Sequence, residues 1–284
     1  MPKAVRFVAG TLSKRRTMEP VSTTHAPLVS CENLSVSYRS PRTGLLGKGG
    51  RFLALDGVTL RIENGESLGI VGSSGAGKTT FAKVISGQLR PSAGTFEFKG
   101  TDPSLSGKAS RGDFQRAVQY VFQNPKSSFD PRIKIGNALI EPLLSFNIEG
   151  DHVEMVMTAL GTVGLDKGIY SRYPHELSGG QLQRAAIARA LVVKPRLLIA
   201  DEPASSLDVS IRAQILNLFR ELGNSGGLTL VLIAHDLAAV AYTAQRLAVF
   251  ESGRIVESGL TLEILKNPQS DEAKRLVSAN LAIF

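Results

Sequence analysis

The apolar positions of the chain fall into three kinds of pattern. Residues 28–38 alternate loosely (Leu34, Val36, Tyr38), as in a half-buried strand, and the alternation resumes over 52–62. Residues 40–51, rich in Gly, Ser and Pro, predict a flexible insertion between the two. After a turn at Glu63-Asn64-Gly65-Glu66, residues 67–71 read as a buried strand, 81–85 have helical spacing, and 95–98 form a short strand. The early strands predict an antiparallel β layer. Residues 117–122, 197–200 and 228–233 are nearly unbroken apolar runs, the mark of parallel strands buried on both faces. Residues 101–113 read as loop. Over 131–173, apolar residues recur at three- and four-residue spacings (Ile135, Leu139, Ile140; Val153, Val156, Met157, Leu160), too long for a simple crossover and therefore an inserted helical subdomain. Further helices are predicted near 182–193 and 211–222, then a hairpin about Ser252-Gly253 and two short C-terminal helices.

Composition adds little to this picture, but charge does. The 284 residues are 43% hydrophobic and 20% charged, ordinary for a globular chain with one good-sized core. The single cysteine, Cys31, cannot form an internal disulfide and reads as core packing. The net charge of +8 is concentrated in residues 1–51, which hold nine Lys/Arg against Glu19 and Glu32 and leave a nearly neutral body. That distribution suits a solvated tail or an anionic lipid surface better than a nucleic-acid groove. Residues 1–27 lack apolar periodicity and read as a poorly ordered leader, with Met18 an alternative start. No apolar run approaches the roughly 20 residues that span a bilayer.

The most specific chemistry lies at Gly72, Ser73, Ser74, Gly75, Ala76, Gly77, Lys78, Thr79 and Thr80, a nucleotide P-loop spacing between a strand and a helix. Such a loop curls so that backbone N–H groups face phosphate oxygens at a helix N-terminus. Lys78 then neutralises the β- and γ-phosphates and the Thr79 hydroxyl ligates Mg²⁺. The run 197–200 ends in Asp201-Glu202, presenting a carboxylate suited to Mg²⁺ and a second suited to activating water. Gln123 and His235 end the other two apolar runs, at the edge where an open parallel sheet binds ligand. Tyr38 closes the first strand, where its ring either packs or stacks on a base. Ser178, Gly179, Gly180 and Gln181 begin a helical run, either as a plain cap or as a second anion site. Asp208 precedes an amphipathic helix.

In this order, the P-loop, Gln123, Leu177-Ser178-Gly179-Gly180-Gln181, Asp201-Glu202, Ser205–Asp208 and His235 resemble the nucleotide-binding subunit of an ABC transporter over roughly residues 28–266. Val121-Phe122-Gln123-Asn124-Pro125 with Asp130-Pro131-Arg132, Tyr173-Pro174-His175-Glu176 and Asp208-Val209-Ser210 are similar to the oligopeptide/dipeptide/nickel importer branch. The resemblance implies an α/β fold with a P-loop NTPase (RecA-like) core, an antiparallel β subdomain, a helical subdomain at about 125–177, and a short helical tail over 267–284. It implies ATP and Mg²⁺ as ligands, Tyr38 stacking on adenine, Gln123 and Asp201 at the metal, Glu202 as general base and His235 on the γ-phosphate. It further implies that Ser178, Gly180 and Asp208 complete the site of a second ATPase subunit in a head-to-tail dimer. Permease subunits, an extracytoplasmic solute-binding protein and the cytoplasmic membrane face follow from the same resemblance. The chain departs from it at Glu272-Ala273, where the family's tail commonly carries a Tyr-Thr pair before its last helix.

Two other readings compete. A soluble ABC-type ATPase acting on nucleic acid or ribosomes usually carries two cassettes or a long heptad insertion, and this chain shows one cassette and no sustained heptad. A nucleotide-gated regulator with little turnover sits poorly with the presence of both Glu202 and His235. The transported solute is not legible here, because the ATPase does not touch it.

Overall fold

The computed structural model describes residues 26–39, 51–105 and 107–280. The leader expected over 1–27, apart from its last two residues, and the insertion expected at 40–51, apart from Arg51, lie outside the described residues. Two sheets form the frame. Strands β1 (Val29–Arg39), β2 (Arg51–Ile62) and β4 (Ala93–Phe98) make an antiparallel sheet in the order β2-β1-β4. Strands β5 (Val118–Val121), β6 (Leu197–Asp201), β7 (Thr229–Ile233), β3 (Ser67–Gly72), β8 (Arg246–Glu251) and β9 (Arg254–Leu260) make the second, in the order β5-β6-β7-β3-β8-β9. The second sheet is parallel except for the β8–β9 hairpin.

Because side chains alternate across a strand, each apolar run of this sheet feeds two cores at once. Leu198, Ala200, Leu230, Leu232, Leu247 and Val249 join a cluster with α5 (Gly179–Leu191), α6 (Val209–Asn224) and α7 (Leu237–Thr243). Their neighbours Leu197, Ile199, Val231, Ile233, Ala248 and Phe250 face the other way, onto α1 (Lys78–Ile85) and the antiparallel sheet. Phe81 of α1 is fully buried there, its ring centroid 5.5 Å from that of Phe250. Residues 125–176 hold α3 (Ile135–Ser145) and α4 (His152–Thr162) with 3₁₀ turns at Pro125–Ser128, Lys167–Ser171 and Pro174–Glu176, so every regular element of that stretch is helical. Leu139, Leu143, Val156 and Leu160 bury it against Leu182, Ala185 and Ala186 of α5. Arg189 fastens it, donating to the carbonyls of Ala138 (3.1 Å) and Ser128 (2.9 Å) and to Glu141 (2.8 Å).

The structure corrects some expectations. Helix α2 (Lys108–Ala117) begins inside the stretch expected to be loop, 101–113, and runs past it, held by Phe114, which packs edge-on against Phe96 and Phe98. Its other positions are largely polar, so the helical stripe reduces to one anchor. Strand β9, the second arm of the expected hairpin, runs on to Leu260. Cys31 sits within β1, fully buried, and burial pushes its thiol up to about 12. At the C-terminus, α8 (Thr261–Lys266) is followed by α9 (Asp271–Asn280), so Glu272 and Ala273 lie inside the last helix rather than before it.

Phe81→Ala should cost about 3–5 kcal/mol by opening a cavity between α1 and Phe250. Urea unfolding measures it, and a loss below about 1 kcal/mol would mean that α1 is not seated through this ring.

Candidate active site

The turn from β3 into α1 needs glycine where its neighbours leave no room for a side chain. A Cβ on Gly72, at φ 149°, would lie 2.1 Å from the Phe250 carbonyl oxygen, and one on Gly77, at φ 102°, would lie 2.5 Å from that of Ala54. The loop is thus gripped by β8 on one side and β2 on the other. The β8–β9 turn braces it further, with Gly253 N–H donating to the Ala76 carbonyl at 3.0 Å. Inside this grip Lys78 is 7% exposed and donates to the carbonyls of Gly72 (2.7 Å) and Ser73 (2.9 Å). Desolvation lowers its pKa, against the raising influence of Glu202, Asp201 and Glu272. Ser73, Ser74, Gly75 and Thr79 are exposed, while Ala76 is buried and Thr80 half-buried.

The carboxylates stand two strands away at the same sheet edge. Asp201, the last residue of β6, is 7% exposed and accepts a hydrogen bond from Tyr120 Oη at 2.8 Å. Burial, then the charge of Asp201 and this bond, push the Tyr120 hydroxyl far above its ordinary range. Glu202 follows at φ 47°, a left-handed conformation that costs a non-glycine residue of order 1–3 kcal/mol. Hydrogen bonds hold it there: its N–H donates to Ile233 O, and its carbonyl accepts from Ser205 N–H and Ser205 Oγ. Its side chain is then clasped between Gln123 Nε2 at 3.1 Å and His235 Nδ1 at 3.5 Å. Gln123 also donates to Ser205 Oγ at 3.2 Å. Residues ending three different strands therefore converge on one carboxylate.

Ser178, Gly179, Gly180 and Gln181 form a second group. Ser178 Oγ accepts from Gln181 N–H (3.3 Å) while Gln181 Oε1 accepts from Ser178 N–H (3.1 Å), a reciprocal cap on α5. A Cβ on buried Gly180 would lie 2.5 Å from Ile211, which explains the second glycine by close packing of α5 on α6. Asp208 caps α6, and its carboxyl is held below the usual range by the backbone N–H of Ile211 and the Ser210 hydroxyl. Ser178, Gly179 and Asp208 are all exposed. Tyr38 is 41% exposed and pairs across the antiparallel sheet with Phe52.

The structure brings Lys78, Asp201, Glu202, Gln123 and His235 together at one sheet edge. The supporting roles of Tyr120 and Ser205 are not legible in the sequence; Tyr120 lies inside an apolar run and meets its partner 81 positions away.

Comparison with known proteins agrees with this geometry. The family model described as ABC transporter matches residues 55–205. The dipeptide transport ATP-binding protein DppF of Haemophilus influenzae is 40% identical over 258 residues, 90% of this chain and 78% of that protein. The oligopeptide transport ATP-binding protein OppF of Salmonella typhimurium is 44% identical over 230 residues, 80% of this chain and 69% of that protein. Among solved structures, a bacterial ABC transporter cassette in dimeric form superposes with a TM-score of 0.72 at 25% identity, over 82% of this chain and 98% of that one. CbiO1 from Clostridium perfringens, part of the ABC transporter complex cbiONQ, gives 0.73 at 26%, over 91% and 96%.

The reciprocal cap has a measurable consequence. Ser178→Ala should destabilise the chain by about 0.5–2 kcal/mol, whereas Ser178→Asp, which can still cap, should hold most of that stability. Equal losses in urea unfolding would show that the cap contributes nothing.

Proposed function

The chain belongs to the ABC transporter family, and we propose that it is the ATP-hydrolysing subunit of a solute importer, seated at the cytoplasmic face of a membrane on separate permease subunits. Relatives named for dipeptide and oligopeptide transport support a peptide as cargo over a nucleic-acid substrate, while nickel or a similar small solute follows from the sequence resemblance alone. An extracytoplasmic solute-binding protein would deliver it. Among the described residues no helix is long and apolar enough to cross a membrane.

The observation that carries the reading is the Glu202 carboxylate clasped by Gln123 and His235 beside a P-loop whose buried Lys78 amine donates to the backbone oxygens of Gly72 and Ser73. A buried ammonium so placed suits an anion. Lys78, with the N–H groups of Gly75, Gly77 and Thr79, would hold the phosphates of ATP, the Ala76 N–H being donated to the Ser73 carbonyl within the turn, and Tyr38 would stack on the base. Among the described residues no group of three or more His, Cys, Asp or Glu could hold a metal by itself, so Mg²⁺ here would share its coordination with phosphate oxygens. Asp201, Thr79 and Gln123 fit the protein's share, and the ion would supply charge neutralisation at the phosphates. Glu202, turned toward the sheet edge by its left-handed backbone, would take the proton of the attacking water while Gln123 orients it and His235 donates to the γ-phosphate.

The dimeric form of a related cassette supports a second half-site. Ser178 Oγ spends a lone pair on the α5 cap, which leaves its O–H proton to donate outward to a partner's phosphate. Gly179 and Asp208 are exposed as well, and Gln181 is half-buried.

Two experiments test the reading. Glu202→Gln should retain Mg-ATP binding, lose roughly 10² to 10⁴ in hydrolysis rate, and accumulate as an ATP-bound dimer. Hydrolysis at the parental rate would reduce Glu202 to a loop residue. Ser178→Arg and Lys78→Ala should each abolish hydrolysis alone, yet mixing the two should restore activity, since one site of the mixed dimer carries both lesions and the other neither. A demonstrated mixed dimer without activity would count against head-to-tail sharing.

A further inference from the structure

One buried carboxylate plays no part in the chemistry above. Glu272, in the first turn of α9, is 5% exposed, and its Oε1 accepts a hydrogen bond from the Ser73 backbone N–H at 2.9 Å. The two residues are 199 positions apart. The same peptide unit carries the Gly72 carbonyl that accepts from Lys78 Nζ at 2.7 Å. In a trans peptide the N–H and C=O point to opposite sides, so this one unit is gripped by an anion at one end and a cation at the other. Each grip reinforces the other, because a carboxylate on the N–H polarises the peptide and makes its carbonyl a better acceptor for the ammonium.

The surroundings favour a role in positioning over one in repulsion. Arg275 Nη1 lies 3.3 Å from Glu272 Oε2 and 3.5 Å from Glu251 Oε1, so the charge of Glu272 is partly balanced at its other oxygen. Arg275 is shared with Glu251, so the three side chains together keep one negative charge, while the bond to Ser73 acts at contact distance. The helix itself is pinned. Ala273 is 1% exposed, and Glu257 accepts from Ser270 N–H (2.8 Å), Ser270 Oγ (2.8 Å) and Gln269 N–H (3.0 Å).

We propose that Glu272 is a positioning residue for nucleotide binding: by fixing the peptide between Gly72 and Ser73 it holds the Lys78 ammonium in the P-loop and makes the C-terminal helix part of the ATP site. This rests on the P-loop as the nucleotide site, and the experiment separates the two. Mg-ATP binding to the full-length chain is measured by calorimetry for the parent, Glu272→Gln and Glu272→Ala. The expected order of affinity is parent, then Gln, which keeps an acceptor oxygen, then Ala, roughly tenfold weaker than the parent. Binding by the Ala variant that equals or exceeds the parent's, as relief of repulsion would give, overturns the proposal. A second measurement uses nucleotide-free protein and compares urea midpoints for Glu272→Ala, Lys78→Met and the pair. A relay through the shared peptide makes the Glu272 substitution less damaging once Lys78 is gone. Strictly additive shifts overturn the relay and leave Glu272 as an anchor of the helix alone. If the parent itself fails to bind Mg-ATP, the P-loop reading falls, while the urea cycle still decides the relay.

Discussion

A lysine ammonium enclosed at the root of the P-loop, with backbone carbonyls as its hydrogen-bond partners, is the constraint that most of the structure answers to. A buried ammonium is costly unless its N–H groups are met directly, and the nearby carboxylates act on Lys78 only through their charge, so the loop must wrap closely enough to turn its own oxygens onto the amine. That wrapping brings Gly72 and Gly77 against the backbone of Phe250 and Ala54 and admits no side chain at either position. The β8–β9 turn and the antiparallel sheet are therefore walls of the phosphate cradle as much as they are layers of the fold.

The same sheet solves a second problem, that of bringing distant chemistry to one place. Strands β5, β6 and β7 lie side by side and parallel, so the residues after them emerge together at one edge. Gln123 leaves β5, Glu202 leaves β6 and His235 follows β7, and the three meet without any loop reaching far. Glu202 is the only one of the three in a strained backbone conformation. The nearby bonds from Ser205 and to Ile233 supply what the left-handed geometry costs.

Much of this arrangement is legible in the amino-acid order, for a definite reason. The buried strands are unbroken apolar runs ending in polar residues, and the P-loop has its glycines at fixed spacing, so sequence distance and spatial role coincide. Where they part company, the reading fails. Helix α2 carries one well-buried apolar anchor, Phe114, and its sequence, Lys-Ala-Ser-Arg-Gly-Asp-Phe-Gln-Arg-Ala, shows no stripe to recognise. The Tyr120 bond to Asp201 and the Glu272 bond to Ser73 join residues that no periodicity relates. The serine and glycines at 178–180 are legible both as a cap and as an anion site, and the geometry shows that the cap is real without removing the hydroxyl proton that the second role needs.

Strand β3, which delivers the P-loop, is flanked by β7 and β8, whose residues follow it in the chain by more than a hundred positions. During synthesis the segment leading into the loop therefore leaves the ribosome long before either hydrogen-bonding neighbour exists. Its apolar residues Leu68, Ile70 and Val71 wait as an unpaired strand, the kind of segment that invites association with other chains. A fragment ending before β7 would carry every P-loop residue and yet leave β3 without either strand that pairs with it. Nucleotide binding is thus among the last properties the nascent chain acquires, and an early stop yields an aggregation-prone polypeptide rather than a weaker enzyme.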